Sequence, residues 1–312
     1  MSQNNSAQGG GASGVLLLDK PSGMSSNTAL QCVRRLLGRV KGGHTGTLDP
    51  LATGLLPICL GEATKFSGGL LEADKTYDAV VHLGTATTTG DAEGEPVFQG
   101  NVEGVEERVD EVLHQFRGEI EQMPPMFSAL KHHGRPLYEY ARRGEDIERR
   151  ARKVTIYELT VLKRDFPDIT LRVRCSKGTY VRSLAHDLGV RLGCGGHLTA
   201  LRRTGVGSLR ITDAASLEAL EAMEQSARWS CVRGTDLLLS HLPAIVLPSM
   251  DAKAVLQGKV VGTPGAVQDS GHVRLYDEDG SFLGLGMAQG EDRKIIPKRM
   301  CSDVRTRQPA LA

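Results

Sequence analysis

The sequence feature that most constrains this chain is the stretch GGHTGTLDPLATGLLPICLG, residues 42–61. It combines glycines and prolines with a single acidic residue, Asp49. Glycine permits backbone angles that other residues resist, and Pro50 disfavours helical conformation at the residue before it. The pattern predicts a shaped loop that carries Asp49, followed by a buried apolar run over residues 51–60. Asp49 is either an ordinary turn former or a carboxylate held against an apolar wall, as active-site acids often are.

Composition limits the possible functions. The 312 residues are enough for one large domain, or for one domain and a small second one. A net charge of +1 means that any nucleic acid would have to be bound by local basic patches. The six cysteines are scattered without a CxxC pair, which favours a reducing cytoplasm over a disulfide framework or a zinc site. With no histidine pair at ligand spacing and no phosphate-binding glycine motif, neither a metal nor a cofactor is expected.

Patterns near the two ends of the chain predict its domain organisation. Residues 1–13 are polar and rich in glycine and serine, which predicts a disordered tail, and residues 301–312 are expected to be loose. The apolar run after residue 14 is too short for a signal peptide or a membrane span. Short strand patterns predict a β-rich module over residues 240–300, beside a main domain of residues 14–239.

Hydrophobic periodicity predicts an α+β fold for the main domain. One predicted helix can be capped by Ser25 or Ser26, and another covers residues 104–117. Alternating patterns predict strands near residues 77–83, 154–163 and 169–175. Residues 198–203 are expected to lead into a strand over residues 206–211, with Leu201 on a turn.

Several side chains at the ends of these elements are suited to a site. Tyr77 lies on a predicted strand, and Tyr180 and Arg182 fall in the first turn of a predicted helix. The helix dipole disfavours a cation in that turn, so Arg182 is expected to have a specific carboxylate partner. Asp91 and Glu93 are candidates for a carboxylate pair, but the polarity of their loop favours solvated turn residues.

Residues 122–153 form an unusual basic segment. Prolines at its start disfavour regular structure, and a short helix is predicted around Tyr138 and Tyr140. The arginines of this segment are Arg142, Arg143, Arg149 and Arg150. They are either a solvated surface or part of a flexible arm that closes on a polyanion with exposed bases. A loop carboxylate, aromatic residues and basic flanks suit chemistry on a neutral ring inside an anionic polymer, but they do not name a reaction.

Five motifs, in order, resemble those of the TruB family of tRNA pseudouridine synthases. The central one is GGHTGTLDPLATGLLPICLGEATK at residues 42–65, and the others lie at residues 14–27, 74–84, 175–189 and 197–207. Residues 122–153 are similar to the family's insertion that grips the tRNA arm, and residues 240–300 to its PUA domain, a small RNA-binding fold. The resemblance implies an α+β catalytic domain with a mixed, mainly antiparallel central sheet and flanking helices.

The resemblance also implies roles for individual residues. Asp49 occupies the position of the catalytic aspartate, and Arg182 that of the arginine paired with it. Tyr77 matches the tyrosine stacked on the flipped base, and Tyr180 and Leu201 match residues that line the base pocket.

The resemblance extends to residues outside the base pocket. His44 matches the residue that fills the space left by the flipped base, and Lys20 a lysine in structural support. The arginines of the basic segment are expected to contact the tRNA backbone.

The implied reaction is the isomerisation of uridine 55 in the TΨC loop of tRNA, by base flipping and an aspartate-dependent transfer of the glycosidic bond to C5. The resemblance implies no cofactor, guide RNA or membrane, and a cytoplasmic monomer is expected. Arg182 is expected to keep Asp49 ionised. Two other classes remain open: an RNA-binding or tRNA-folding module in which catalysis is secondary, and a nucleoside or glycoside hydrolase. A glycosidase would usually need a second catalytic carboxylate.

Overall fold

The computed structural model describes residues 13–263, 270–290 and 292–302, so the tails predicted at residues 1–12 and 303–312 lie outside the described residues. Ser13, Cys301 and Ser302 belong to segments that the sequence predicts to be loose, yet each has defined contacts. Glu62 binds two of them. The Glu62 backbone N–H donates to Ser13 Oγ over 2.9 Å, and its carboxylate accepts from the Ser302 N–H over 2.6 Å. The third, Cys301, is buried.

The described residues form four β-sheets. The strands, numbered in chain order, are β1 (Gly14–Lys20), β2 (Gly42–His44), β3 (Thr53–Leu60), β4 (Lys75–Leu83), β5 (Thr85–Thr87), β6 (Pro96–Gln99), β7 (Gly118–Gln122), β8 (Lys131–His132), β9 (Arg135–Pro136), β10 (Arg152–Asp165), β11 (Asp168–Cys175), β12 (Gly196–Val206), β13 (Leu209–Arg210), β14 (Ala215–Ser216), β15 (Val232–Arg233), β16 (Ala244–Val246), β17 (Val261–Gly262), β18 (Gly271–Tyr276), β19 (Phe282–Gln289) and β20 (Lys294–Met300).

The largest sheet has eleven strands, with the order β14-β1-β3-β12-β4-β11-β10-β7 and with β2, β13 and β15 at its sides. Two of its pairings, β1 with β14 and β3 with β12, are parallel and the others are antiparallel. The predicted mixed, mainly antiparallel sheet is thus confirmed. The accompanying helices are α1 (Ser26–Leu36), α2 (Gly68–Glu72), α3 (Val109–His114), α4 (Leu137–Ala141), α5 (Val181–Leu192), α6 (Leu217–Ala222) and α7 (Ser249–Leu256). Short 3-10 helices lie at Gly61–Phe66, Glu106–Arg108, Ile211–Asp213, Ala227–Cys231 and Thr235–Leu239.

One face of the large sheet is buried along its length, whereas the other carries a second apolar cluster over β1 and β3 and is polar over β4 and β11. Helices α1, α3 and α5 pack on the buried face, where α5 contributes Leu184, Leu188 and Leu192. Each such side chain stabilises the fold by about 1.5–3 kcal/mol when fully buried. The opposite face carries cross-strand ion pairs, of which Arg172 with Asp78 is bidentate at 2.8 Å for both hydrogen bonds.

Two predicted elements differ from the structure. The helix predicted over residues 104–117 is shorter, because a 3-10 turn precedes α3 and the chain leaves the helix after His114. The turn predicted at Leu201 is wrong, since that residue lies inside β12. Within this strand, Arg202 is paired with Asp19 at 2.7 Å and Arg203 is buried. The hairpin turn follows at residues 207–208.

The C-terminal module has a sheet of its own, with the order β16-β18-β19-β20-β17, and a separate apolar core. It also packs on the main domain. The rings of Phe66 and Phe282 meet edge to face with centroids 5.4 Å apart, and the Tyr276 hydroxyl donates to Asp236 over 2.8 Å. These contacts join the module to the 3-10 helices at Gly61–Phe66 and Thr235–Leu239.

A substitution at Gly54 tests the close approach of β3 and β12. The φ of Gly54 is 101°, and an added Cβ would lie 2.3 Å from the Arg203 carbonyl oxygen. We expect Gly54→Ala to lower the free energy of unfolding by about 2–4 kcal/mol, from backbone strain and overpacking together. Urea unfolding measures the change. Gly43→Ala is the control, because nothing lies within 4 Å of its added Cβ. Equal stability of the two variants would contradict the close approach.

Candidate active site

The loop that carries Asp49 is fixed by hydrogen bonds on both sides. On one side, Ser26 Oγ accepts from the Leu48 N–H over 2.7 Å and donates to the Leu48 carbonyl over 2.9 Å. On the other, the Gly23 N–H donates to the Pro50 carbonyl over 2.9 Å. The predicted loop conformation of Asp49 is therefore confirmed, and its backbone has little freedom.

Lys20 supports the same loop through hydrogen bonds from its amine. It is fully buried at the end of β1, and its Nζ donates to the carbonyls of Pro21 and Met24 over 2.8 and 2.7 Å and to Pro50 over 3.4 Å. Burial lowers the pKa of Lys20 to about 8, against the charge of Asp49, which raises it. The amine thus joins β1 to the residue that follows Asp49.

Arg182 is the centre of the polar contacts. It is the second residue of α5, and its Nε lies 3.0 Å from Asp49 Oδ2 and 3.6 Å from Asp91 Oδ2. Its Nη1 donates to the Thr89 carbonyl over 3.0 Å and its Nη2 to the Phe127 carbonyl over 2.7 Å. The expected carboxylate partner of this first-turn arginine is present.

Asp91 is not the solvated turn residue that its polar loop predicted. Only 3% of it is exposed, and its carboxylate accepts from Thr89 Oγ1 over 2.5 Å and from the Glu93 N–H over 3.1 Å. The prediction was wrong because the loop is bound to the start of β12, where the Leu198 N–H donates to the Gly90 carbonyl over 3.0 Å. Glu93 is exposed, as predicted.

The pKa of Asp49 lies above its ordinary value. Burial is the largest cause, and the nearby charge of Asp91 adds to it. Arg182 opposes both by favouring the ionised form, as expected, but it does not outweigh burial.

A cavity of about 270 Å³ opens beside this carboxylate. The structure brings five of the predicted site residues to its wall: Asp49, Tyr77, Tyr180, Arg182 and Leu201. Tyr77 lies on β4, Leu201 lies on β12, and Tyr180 is the N-cap residue of α5. Burial raises the pKa of both tyrosines, so each phenol is neutral at pH 7.

His44 lies outside that wall, half-buried on β2 opposite Ile58. Its Nδ1 is buried without a hydrogen-bond partner among the described residues. Burial lowers the pKa of His44, and the charge of Arg203 adds to the shift. The imidazole is therefore neutral at pH 7.

The basic segment differs from residue to residue. Arg142, Arg143 and Arg150 are exposed, and Arg142 stacks on the Tyr138 ring at 5.4 Å. Arg149 is instead held by the Pro124 carbonyl at 3.1 Å. Arg149 and Arg150 line a second cavity, of about 370 Å³.

Two side chains at the site escaped the sequence analysis. Gln122 is 2% exposed, and its amide binds the backbone of Tyr180 twice, donating to the carbonyl over 3.0 Å and accepting from the N–H over 2.7 Å. No sequence pattern identifies it. Arg203 lines the cavity from β12, and a correct strand assignment would have placed it on the same face as Leu201.

Within the described residues, no cluster of three or more His, Cys, Asp or Glu side chains is arranged to hold a metal ion. None of the helices there has the length and apolar character needed to cross a membrane.

Asp49→Asn tests the raised carboxylate pKa. In the window between the ordinary pKa and the raised one, the folded state holds a proton that the unfolded state has released, so stability falls as pH rises through it. We expect the variant to raise the free energy of unfolding at pH 7 by well under about 1 kcal/mol, because 40% of the side chain is exposed and solvent screens its interactions, and we expect the gain to vanish near pH 4. Urea unfolding at both pH values measures it. Asp146→Asn is the control, because that side chain is 82% exposed. A loss of stability at pH 7 would contradict the dominance of burial over the Arg182 pair.

Comparison with known proteins places this chain in a family. The family model described as TruB family pseudouridylate synthase (N terminal domain) matches residues 34–181. Two C-terminal models, of tRNA pseudouridylate synthase B and of pseudouridine synthase II TruB, match residues 182–250 and 243–301.

Relatives match over nearly the whole chain. A protein named tRNA pseudouridine synthase B from Aromatoleum aromaticum is 53% identical over 295 residues, which cover 95% of this chain and 94% of that protein. One of the same name from Burkholderia mallei is 52% identical and covers 92% and 96% of the two chains.

Solved structures share the fold. A chain from a crystal structure of a Cbf5-Nop10-Gar1 complex has a TM-score of 0.69 and 29% identity, with 92% of this chain and 84% of that chain covered. A chain from an H/ACA RNP bound to a substrate RNA containing 2'-deoxyuridine has a TM-score of 0.69 and 26% identity, with 93% and 86% covered. On the family models and the identity to these relatives, the chain belongs to the TruB family of pseudouridylate synthases.

Proposed function

We propose that this protein isomerises a uridine of tRNA, uridine 55 of the TΨC loop, to pseudouridine, with Asp49 as the catalytic carboxylate. The observation that carries the proposal is the pair of Asp49 and Arg182 at a cavity whose wall includes Tyr77, Tyr180 and Leu201. The name tRNA pseudouridine synthase B of relatives at 52–53% identity supports the substrate.

The reaction moves a glycosidic bond within one nucleotide. The C1′–N1 bond breaks, the ring turns, C5 bonds to C1′, the C5 proton is lost to water, and N1 gains a proton. Attack of Asp49 at C1′, attack at C6 and removal of a sugar proton are three possible first steps. All three need the ionised carboxylate, and Arg182 favours that form.

The target base has to leave its stack before it can reach Asp49. Tyr77 offers a ring on which the flipped base stacks, and stacking of this kind contributes about 1–3 kcal/mol per base. Tyr180 and Leu201 close the sides of the pocket. His44 fills the space that the base leaves in the RNA, for which its neutral ring is suited.

Two further surfaces bind the rest of the tRNA. The segment 122–153 grips the T arm through its arginines, and the module over residues 240–300 acts as a PUA-like RNA-binding domain. Residues 14–239 form the catalytic domain, and Lys20 acts as structural support for the Asp49 loop.

Release of tritium from a T-arm stem-loop that carries [5-³H]uridine tests the function. We expect wild type to release the label in proportion to pseudouridine formed. Asp49→Asn should lower the rate by at least about 10³-fold, as loss of a nucleophile or base does. Asp110→Asn, on α3 with a carboxylate that is 73% exposed, should keep the wild-type rate. Undiminished release by Asp49→Asn would refute the role of Asp49, and no release by wild type would refute the function.

The hydrolase alternative gains one feature, since Asp91 is a second carboxylate near Asp49. It is not among the residues that line the cavity, and its oxygens are engaged by Thr89, Glu93 and Arg182. Asp91 is therefore badly placed to protonate a leaving group. The same assay decides: free uracil in place of pseudouridine would favour hydrolysis.

The alternative of an RNA-binding or tRNA-folding module predicts that binding does not need Asp49. Filter binding of tRNA by Asp49→Asn separates the two activities. Retained binding with abolished tritium release supports an enzyme in which both coexist.

The arginines of segment 122–153 are testable through the salt dependence of binding. Replacing Arg142, Arg143, Arg149 and Arg150 by Gln should weaken tRNA binding. The slope of log affinity against log salt concentration should become shallower by about 0.7–0.9 for each phosphate that the variant no longer neutralises. Lys163→Gln with Arg164→Gln, remote charges each paired with an acid, is the control. An unchanged slope would assign the arginines to a solvated surface.

A further inference from the structure

Arg203 is a buried charge without a counter-ion. Only 1% of it is exposed, and no carboxylate lies within 4.0 Å of its guanidinium among the described residues. Burying a cation in this way is costly unless an opposite charge compensates it. The other buried arginine of the site, Arg182, has two carboxylates. The contrast suggests that the partner of Arg203 is present only when substrate is bound.

The contacts of Arg203 orient its guanidinium without neutralising it. Its Nε donates to the Leu55 carbonyl over 2.8 Å, and its Nη2 donates to the Gly46 carbonyl over 2.9 Å. Gly46 lies in the loop that leads to Asp49, with a φ of 74°. The guanidinium is thereby fixed next to the cavity, which it helps to line.

The register of the sheet places Arg203 beside Tyr77. Residue 203 of β12 is directly opposite Tyr77 of β4 on one side and opposite Gly54 of β3 on the other. Side chains of directly opposed residues point to the same face of a sheet, with Cβ atoms about 4.5–5.5 Å apart. Gly54 has no side chain, which lets the Arg203 backbone approach closely: a Cβ at Gly54 would lie 2.3 Å from the Arg203 carbonyl oxygen.

The titratable groups that face Arg203 do not compensate its charge. They are Lys20 from β1, His44 from β2, and Lys75 and Tyr77 from β4. Burial is the main cause of the lowered pKa of Lys20, His44 and Lys75, and Arg203 lowers each further. Burial raises the pKa of the Tyr77 phenol, and Arg203 opposes that shift. The surroundings of Arg203, called the pocket floor below, are therefore neutral or positive in charge.

We propose that Arg203 is a positioning residue whose uncompensated charge, acting across the pocket floor and through the hydroxyl group of Tyr77, stabilises the negative charge that the uracil ring carries during isomerisation. The inference rests on the proposed function. When the C1′–N1 bond breaks, its electron pair stays on the ring and is shared with the two carbonyl oxygens. The pair then forms the C5–C1′ bond, displacing Asp49 where that carboxylate is bonded to C1′. Loss of the C5 proton to water restores the C5=C6 bond, and N1 takes a proton from water. Attack at C6 also places a pair on the ring, so the need for a cation is common to both routes.

The competing interpretation is that Arg203 only anchors the Leu55 and Gly46 carbonyls. Two variants separate charge from anchoring: Arg203→Gln keeps an amide donor and removes the charge, whereas Arg203→Lys keeps the charge. Arg202→Gln is the matched control, because Arg202 is the next residue on β12 and its charge is neutralised by Asp19. Thermal unfolding and tRNA binding verify that each variant is folded.

The readout is the single-turnover loss of the target nucleoside from T-arm stem-loops that carry uridine or 5-fluorouridine at the target position. Fluorine stabilises an anionic ring, so it should relieve the loss of a cation. We expect Arg203→Gln to slow the uridine reaction by about 10²-fold, as removal of one electrostatic stabiliser does. The slowing should be at least about tenfold smaller with 5-fluorouridine if ring charge is what the cation stabilises. Arg202→Gln should slow neither reaction.

Arg203→Lys provides a test that does not depend on the glutamine variant being folded. It should keep most of the activity at neutral pH and lose it at alkaline pH, where a buried amine is deprotonated but a guanidinium is not. The alkaline loss should be absent from wild type over the same range. Equal slowing of both substrates by folded Arg203→Gln, or a lysine variant with the wild-type pH profile, would overturn the proposal. Failure of wild type to convert uridine would instead refute the proposed function.

Discussion

The guanidinium of Arg182 is the interaction on which the rest of the site depends. It joins the Asp49 loop, the loop of Asp91 and the segment 122–153 to the first turn of α5, through bonds of 2.7–3.6 Å. Without it, two partly or fully buried carboxylates would face each other uncompensated, which the fold would relieve by protonation or by opening. One side chain thus meets both a structural and a chemical demand.

The electrostatics of the site are divided between two arginines. Arg182 is paired and lies beside the carboxylate, whereas Arg203 lines the same cavity and has no carboxylate within 4.0 Å in the part of the chain that the structure describes. Burial raises the pKa of Asp49 and lowers those of Lys20 and Lys75, so burial disfavours the charged form of all three groups. Such cost is usual where a binding pocket is built before its ligand arrives.

The sequence was most informative where local chemistry decides structure. Glycine and Pro50 predicted the Asp49 loop, and the helix dipole predicted that Arg182 needs a carboxylate. It was least informative where long-range pairing decides. Asp91 looked solvated because its neighbours are polar, yet the loop is bound to β12. Gln122 meets Tyr180 from far along the chain, and no local pattern reports such a contact. Arg203 escaped because the residues around it predict a turn and not a strand.

The attachment of segment 122–153 to α5 has a thermodynamic consequence. Gln122 bonds to Tyr180, the Met123 carbonyl accepts from Ser183 Oγ over 2.9 Å, and the Phe127 carbonyl accepts from Arg182. The segment and the carboxylate pair therefore share one set of bonds. A ligand that orders the segment would also tighten the geometry around Asp49, and by reciprocity the charge state of that carboxylate would alter the affinity of the segment for its ligand. Ligand binding by segment 122–153 and the ionisation of Asp49 are then coupled equilibria.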